Sequence, residues 1–139
     1  MTAIADAARG AAFFVLLPPG WVSDRPEGAT AFTRDPQADG WRAAVADLSR
    51  VRDLEDDYDG QGSPAPLPAL VDGAITLAQS LAARGLPPPS RTNPGVNGTI
   101  YFEWHTPAEY REIEVVSPTA AVQRLIPAGA RQAVVTALR

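Results

Sequence analysis

The stretch that decides the fold lies at residues 99–116 and reads TIYFEWHTPAEYREIEVV. Apolar and polar side chains alternate on both sides of the turn at Thr106–Glu109, and a period of two is typical of half-buried β-strands. The hairpin register that this turn predicts is Ile100 opposite Val115, Phe102 opposite Ile113 and Trp104 opposite Arg111. Since side chains alternate between the two faces of a sheet, one face is apolar and is expected to pack against helices.

The other face of this hairpin is polar and is the candidate functional surface. Its predicted members are Tyr101, Glu103, His105, Tyr110, Glu112 and Glu114. Glu103 falls directly opposite Glu112, and like charges opposed across a sheet are destabilising. The row is explained by a solvated outer face, by a partner protein that supplies arginines, or by a metal or acid–base site in which neighbouring carboxylates divide their pKa values.

Helical periodicity predicts two helices before the hairpin, at Trp41–Leu54 and Pro66–Arg84. Strands are predicted at Ala12–Leu17 and Ala120–Ile126, short strands at Trp21-Val22 and Ala29–Thr33, a turn at Asp35–Gly40, and a closing helix at Ala130–Leu138. The expected fold is α+β, with a small antiparallel sheet packed on one face by two helices. A three-strand C-terminal meander and the N-terminal strand would form this sheet within a single domain, 1–139.

An acidic loop between the two predicted helices imitates a calcium site. Glu55, Asp57 and Asp59 precede Gly60, as at the start of an EF-hand loop, but Pro66 stands where the bidentate glutamate is required. The alternative is that the aspartates supply hydrogen-bonded turns while Tyr58 fills a gap in the core. We prefer the alternative and predict no metal.

Composition excludes several classes of function. The chain has no cysteine, so disulfides, thiolate zinc sites and thiol nucleophiles are excluded. Every basic residue is arginine and the formal net charge is -4, which argues against direct nucleic-acid binding. His105 is the only histidine, a poor basis for a zinc site. We expect no cofactor, no membrane association and a cytoplasmic location.

Two motifs resemble those of a widespread family of short bacterial proteins without an established activity. They are Tyr58-Asp-Gly-Gln-Gly, followed by a proline and a helix, and the segment from Asn97 to Trp104, followed by Ile113-Glu-Val. The family pattern has tryptophan at the position of Tyr58 and aspartate at that of Asn97. The resemblance covers roughly residues 48–126, leaves the strand and loop extension at 1–40 without a match, and implies the fold but no reaction.

These observations lead to two functional hypotheses. The preferred one is a non-enzymatic protein-binding module, an accessory or regulatory subunit of a larger bacterial complex. The binding surface of this module would be the polar face of the hairpin together with Trp21. We expect a larger protein partner, and the sequence leaves a homo-oligomer open. The alternative is a metal-dependent or acid–base enzyme that uses Glu103, Glu112, Glu114 and His105.

Overall fold

The computed structural model describes residues 3–5, 14–16 and 35–139. Asp35 caps the first helix, accepting a hydrogen bond from the Gln37 N–H at 3.0 Å, and Pro36 occupies the first helical position. The turn predicted at Asp35–Gly40 is therefore wrong, because these residues begin a helix. The elements in chain order are β1 (Ala3–Ala5), β2 (Phe14–Leu16), α1 (Pro36–Val51), α2 (Pro68–Ala83), β3 (Arg91–Pro94), β4 (Ile100–His105), β5 (Glu109–Ser117), β6 (Ala120–Pro127) and β7 (Val134–Leu138).

The main sheet has five antiparallel strands in the order β3-β4-β5-β6-β7. The predicted α+β fold and the predicted register are both confirmed: the Cα partners include Ile100 with Val115 and Phe102 with Ile113. The apolar face carries buried side chains of β4 and β5, against which α1 and α2 pack. The fully buried side chains that join the two layers include Leu48, Leu77, Phe102 and Ile113.

The composition of the sheet differs from the prediction at both ends of the chain. The N-terminal strand forms at Phe14–Leu16, but it pairs with Ala3–Ala5 in a separate two-stranded sheet and does not extend the main one. The helix predicted at Ala130–Leu138 is wrong. Residues Val134–Leu138 form a strand paired with β6, since the consecutive β-branched residues Val134, Val135 and Thr136 favour an extended backbone.

Gly73 lets α2 approach the turn between β5 and β6. A Cβ atom added at Gly73 would lie 2.4 Å from the backbone oxygen of Pro118 and 2.8 Å from its Cα. Glycine inside a helix costs about 1 kcal/mol relative to alanine. Glycine stands at position 73 despite this cost because the side chain of any other residue would overlap the turn.

Two tryptophans hold the segment that follows α2 in place by hydrogen bonds. The indole N–H of Trp41 donates to the Leu86 carbonyl at 2.8 Å, and that of Trp104 donates to the Pro87 carbonyl at 2.9 Å. The two rings meet edge to face, with their centroids 6.4 Å apart. The helix layer, the sheet and the connecting segment are therefore joined at one point.

Some predictions fall outside the described residues, namely the short strands at Trp21-Val22 and Ala29–Thr33 and the proposed role of Trp21. Across the part of the chain that is described, no helix has both the length and the apolar character needed to cross a membrane.

Candidate functional site

The candidate site is the face of the sheet turned away from the helices. We call it the polar face and define it as Tyr101, Glu103, His105, Tyr110, Glu112 and Glu114. Strands β4 and β5 bring all six together, with Glu103 opposite Glu112, Tyr101 opposite Glu114 and His105 opposite Tyr110. The predicted opposition of two glutamates is thus present, and the network around it explains how the sheet tolerates it.

Arg124 on β6 neutralises part of the acidic row. Its Cα partner is Glu112, and its Nη1 atom donates to Glu112 Oε1 at 2.7 Å and to Glu114 Oε2 at 2.9 Å. The two glutamate side chains are 16% and 11% exposed. Their carboxylates, Glu114 first and Glu112 second, raise the pKa of Arg124 above its usual range. One guanidinium therefore links two carboxylates that would otherwise repel each other in a partly desolvated place.

Tyr110 separates the two opposed carboxylates. Its hydroxyl oxygen lies 2.9 Å from Glu103 Oε1 and 2.7 Å from Glu112 Oε2. Burial raises the pKa of Tyr110 most, and the hydrogen bonds to Glu112 and Glu103 raise it further. Because a hydroxyl has one hydrogen, it donates to one carboxylate at a time. The phenol thus stays protonated and lies between the two charges.

The remaining carboxylate oxygens are bound by the neighbouring β3 and by the turn after it. Asn93 Nδ2 donates to Glu103 Oε2 at 2.9 Å, and the Thr99 hydroxyl donates to Glu114 Oε1 at 3.1 Å. Burial, followed by a hydrogen bond with Glu114, raises the pKa of Tyr101. Both oxygens of each of the three glutamates therefore lie within hydrogen-bonding distance of groups of the same chain, with the single Tyr110 hydrogen donated to Glu103 or to Glu112.

This network decides what the glutamates offer chemically. A metal ligand or a general base needs a carboxylate lone pair directed at the metal or substrate, and contacts within the chain compete for each of these oxygens. In residues 35–139, no group of three or more His, Cys, Asp or Glu side chains is placed to hold a metal ion. The donor set of the polar face thus favours a structural network over a metal centre.

A cleft lies at the His105 end of the polar face, between the β4–β5 and β6–β7 turns. Its volume is about 290 Å³. His105 is exposed, and its ring centroid lies 4.9 Å from that of Tyr110. Glu103, Glu112 and Glu114 are not among its lining residues, which include His105, Thr106, Pro107, Glu109, Tyr110, Ile126, Pro127, Ala128, Gly129 and Ala130. The cleft therefore combines aromatic and aliphatic side chains with the His105 imidazole, the Thr106 hydroxyl and the Glu109 carboxylate, and that carboxylate is paired with Arg111.

The calcium-like loop uses its carboxylates to hold its own backbone. Asp57 Oδ1 accepts from the Gly62 N–H at 2.7 Å, and Asp59 accepts from the Gln61 N–H at 2.9 Å and the Ser63 hydroxyl at 2.5 Å. The Ser63 hydrogen bond, followed by that of Gln61, lowers the pKa of Asp59. These contacts favour the interpretation as hydrogen-bonded turns, in agreement with the preferred reading of this loop.

Sequence reasoning missed three residues that hold the polar face: Asn93, Thr99 and Arg124. Arg124 lies opposite Glu112 only because the pairing of β5 and β6 shifts by one residue between Val115 and Ser117; a regular register continued from Ser117 and Ala120 would place Leu125 there. Asn93 had no readable signal, since β3 is too short and too polar to show a strand pattern.

Comparisons with known protein families, with curated proteins and with solved structures find no match to this chain.

Proposed function

We propose that this chain is a non-enzymatic protein-binding module, a cytoplasmic accessory or regulatory subunit of a larger bacterial complex. Its binding surface is the polar face with the adjoining cleft. The observation that carries this proposal is the internal hydrogen bonding of Glu103, Glu112 and Glu114, which fixes their positions and engages both oxygens of each carboxylate in contacts within the chain.

The aromatic residues of the polar face support recognition of a protein. Tyr101 and Tyr110 are half-buried, with their hydroxyl groups directed into the glutamate network. Tyrosines held in one rotamer lose little conformational entropy on binding, which is one reason for their enrichment at interfaces. The network therefore prepares a rigid surface and leaves His105 and the cleft to receive a side chain of the partner.

Charge indicates the kind of partner. Two of the three carboxylates of the polar face, Glu112 and Glu114, share one close cation, Arg124, while Arg91 Nε lies 4.0 Å from the third, Glu103. A net negative potential remains, and a partner that presents arginines to this face would complement it. Arginine suits such a surface because its planar donors pair with carboxylates and stack on aromatic rings.

The test is co-purification of the tagged chain from its native host, followed by identification of the bound protein and measurement of its affinity. His105→Asp changes an exposed residue of the cleft and is expected to change the affinity by about tenfold or more. Gln79→Asp makes the same kind of change on the helix side and serves as the matched control. Recovery of no stoichiometric partner, or equal binding by both variants, would refute the proposal.

An acid–base enzyme is the second candidate, and the cleft beside His105 is the observation that favours it. It is the weaker candidate because Glu103, Glu112 and Glu114 lie outside the cleft lining and are hydrogen-bonded elsewhere, while the one carboxylate in the lining, Glu109, is paired with Arg111. An enzyme of this type would lose its activity in a His105→Gln variant that still folds.

A further inference from the structure

The two most exposed large hydrophobic residues in the described part of the chain lie at one end of the fold. Leu67 is 71% exposed and Val96 is 70% exposed. The turn that carries Val96 packs on the loop that leads to Leu67, since a Cβ added at Gly98 would lie 3.6 Å from Pro64 Cγ. We call this end the tip and define it as loop 53–67 with turn 95–98.

Leu67 is unfavourable for the isolated chain on two counts. It occupies the N-cap position of α2 and gives that helix no side-chain cap hydrogen bond. Ser, Thr, Asp or Asn at an N-cap accepts a backbone N–H through its side chain and stabilises a helix, whereas only the backbone carbonyl of Leu67 serves the first turn, accepting from the Leu70 and Val71 N–H groups at 2.9 and 3.1 Å. Its side chain also exposes apolar area to water. Apolar area exposed at a position where a polar residue would cap the helix, beside a second exposed apolar residue, favours a role in binding.

Val96 is similarly placed against local preference. The Gly98 N–H donates to the Gly95 carbonyl at 3.2 Å, so Val96 is a central residue of the turn between β3 and β4. Gly, Asn, Asp, Ser and Pro dominate such positions, and a β-branched side chain that projects into water gains nothing from the turn. Tyr58 binds the same turn from the loop side, with its hydroxyl 3.4 Å from the Gly95 carbonyl.

The surroundings of Leu67 are strongly acidic. Five exposed carboxylate side chains precede it in the loop: Asp53, Glu55, Asp56, Asp57 and Asp59. The nearest arginine in sequence, Arg52, pairs with Asp72 on α2. The tip is thus a pair of apolar side chains beside a fixed negative surface. Its complement is an apolar pocket bordered by basic side chains.

We propose that Leu67 and Val96 insert into an apolar pocket of a partner protein whose rim carries arginine or lysine. The proposal rests on the function proposed above and adds a second docking surface to it. The tip adjoins the start of β4, where Gly95 packs on Tyr101 of the polar face, and the cleft adjoins the end of β4, so the tip and His105 are roughly 17 Å apart along the strand. Variants at Leu67 and at His105 therefore leave each other's surroundings unchanged, and the two proposals fail separately.

The first experiment uses the photoreactive amino acid p-benzoylphenylalanine as the probe, placed at position 67 or 96 of the full chain in its native host. Position 79 on the exposed side of α2 is the control. Cross-links from 67 and 96, absent from 79, are expected to map to one protein, at apolar residues flanked by Arg or Lys. Cross-links to a second copy of this chain, or no more product than at position 79, would overturn the proposal.

The second experiment separates docking from folding. Leu67→Ser supplies a capping hydroxyl and removes apolar exposure, so the unfolding constant of the isolated chain is expected to fall about fivefold. Affinity for the cross-linked partner is expected to fall at least tenfold. In a separate variant of the otherwise wild-type chain, neutralisation of the exposed Asp53 by Asn and Glu55 by Gln is expected to make this affinity less dependent on salt. Leu67→Met, which keeps an apolar side chain, is expected to retain binding.

Two results would count against the docking role. If Leu67→Ser unfolds more readily than the wild-type chain, Leu67 serves the fold and the argument from its cost is lost. If the partner binds Leu67→Ser normally but loses affinity for His105→Asp, the tip proposal fails while the polar face remains the binding surface.

Discussion

Arg124 on β6 donates from Nη1 to the carboxylate of Glu114 on β5 at 2.9 Å, and the same nitrogen reaches Glu112 at 2.7 Å. This contact turns a row of like charges into a connected network. It also explains how a glutamate side chain that is only 11% exposed is accommodated on this face of the sheet. An unpaired carboxylate at that depth would be strongly destabilising.

Removal of this cation is expected to be costly. Arg124→Met should destabilise the fold by about 2 kcal/mol, since it leaves two partly buried carboxylates without their cation, and the 36% exposure of Arg124 moderates the loss. Urea denaturation measures the change. Adding Glu112→Gln and Glu114→Gln should restore most of it. Arg42→Met, at an arginine side chain 78% exposed beside Asp39, is the control and should change stability by under about 0.5 kcal/mol.

Tyr110 predicts a loss of stability in alkali. Because burial and two carboxylates raise the pKa of Tyr110 in the folded chain, the unfolded chain releases this proton first as pH rises. Its contribution is complete below the unfolded pKa of about 10 and declines above it. Tyr110→Phe should unfold more easily at neutral pH by about 1–2 kcal/mol and lose less stability between neutral pH and pH 11 or so.

The control for that experiment is Tyr58→Phe, because the Tyr58 hydroxyl makes only a 3.4 Å contact with the Gly95 carbonyl. Burial also raises the pKa values of Tyr58 and Tyr101, so part of the alkaline slope should survive in every single variant. A slope in Tyr110→Phe equal to that of the wild-type chain would contradict the assignment.

Gly73→Ala should destabilise the protein by about 1–3 kcal/mol, although alanine is the better helix former. The added methyl group would meet the backbone of Pro118, which has no side-chain rotation available to relieve the overlap. Ala46→Gly, at an exposed position of α1, calibrates helix propensity alone and should cost about 1 kcal/mol. A thermal unfolding midpoint for Gly73→Ala above that of the wild-type chain would disprove the close packing.

Divalent ions should bind neither acidic segment. The carboxylates of the polar face and of loop 55–59 accept hydrogen bonds from the chain, so a metal ion would have to displace these donors. Calorimetry with calcium, magnesium, manganese and zinc is expected to show no saturable heat. A stoichiometric signal that disappears in Glu112→Gln or in Asp57→Asn would assign a metal site and revive the enzymatic alternative.

The hairpin of β4 and β5 was predictable to the residue because its two signals agree. The alternation of apolar side chains and the turn at Thr106–Glu109 specify the same register, and a slip of one residue would expose Phe102 and Ile113. The polar face followed directly from that register. Its chemistry did not, because Arg124 and Asn93 come from strands on either side of the hairpin.

The elements that sequence reasoning missed are of two kinds. Some form only by pairing with residues distant in sequence, and the others have a local sequence that is typical of two different structures. β3 has four residues, Arg-Thr-Asn-Pro, and exists through its backbone pairing with β4. β7 was mistaken for a helix because alanines flank Val134-Val135-Thr136, whose branched side chains favour a strand. Asp35-Pro36 is typical of a turn and of a helix start alike, and only the capping hydrogen bond separates the two.

The junction of Trp41 and Trp104 gives the molecule a built-in optical reporter. Each indole is bonded to one of two successive carbonyls, at Leu86 and Pro87, while the rings touch edge to face. Separation of the helix layer from the sheet would move both chromophores into water in one step. Near-ultraviolet dichroism and emission wavelength would thus follow the docking of the layers, whereas far-ultraviolet signals follow the helices and strands themselves.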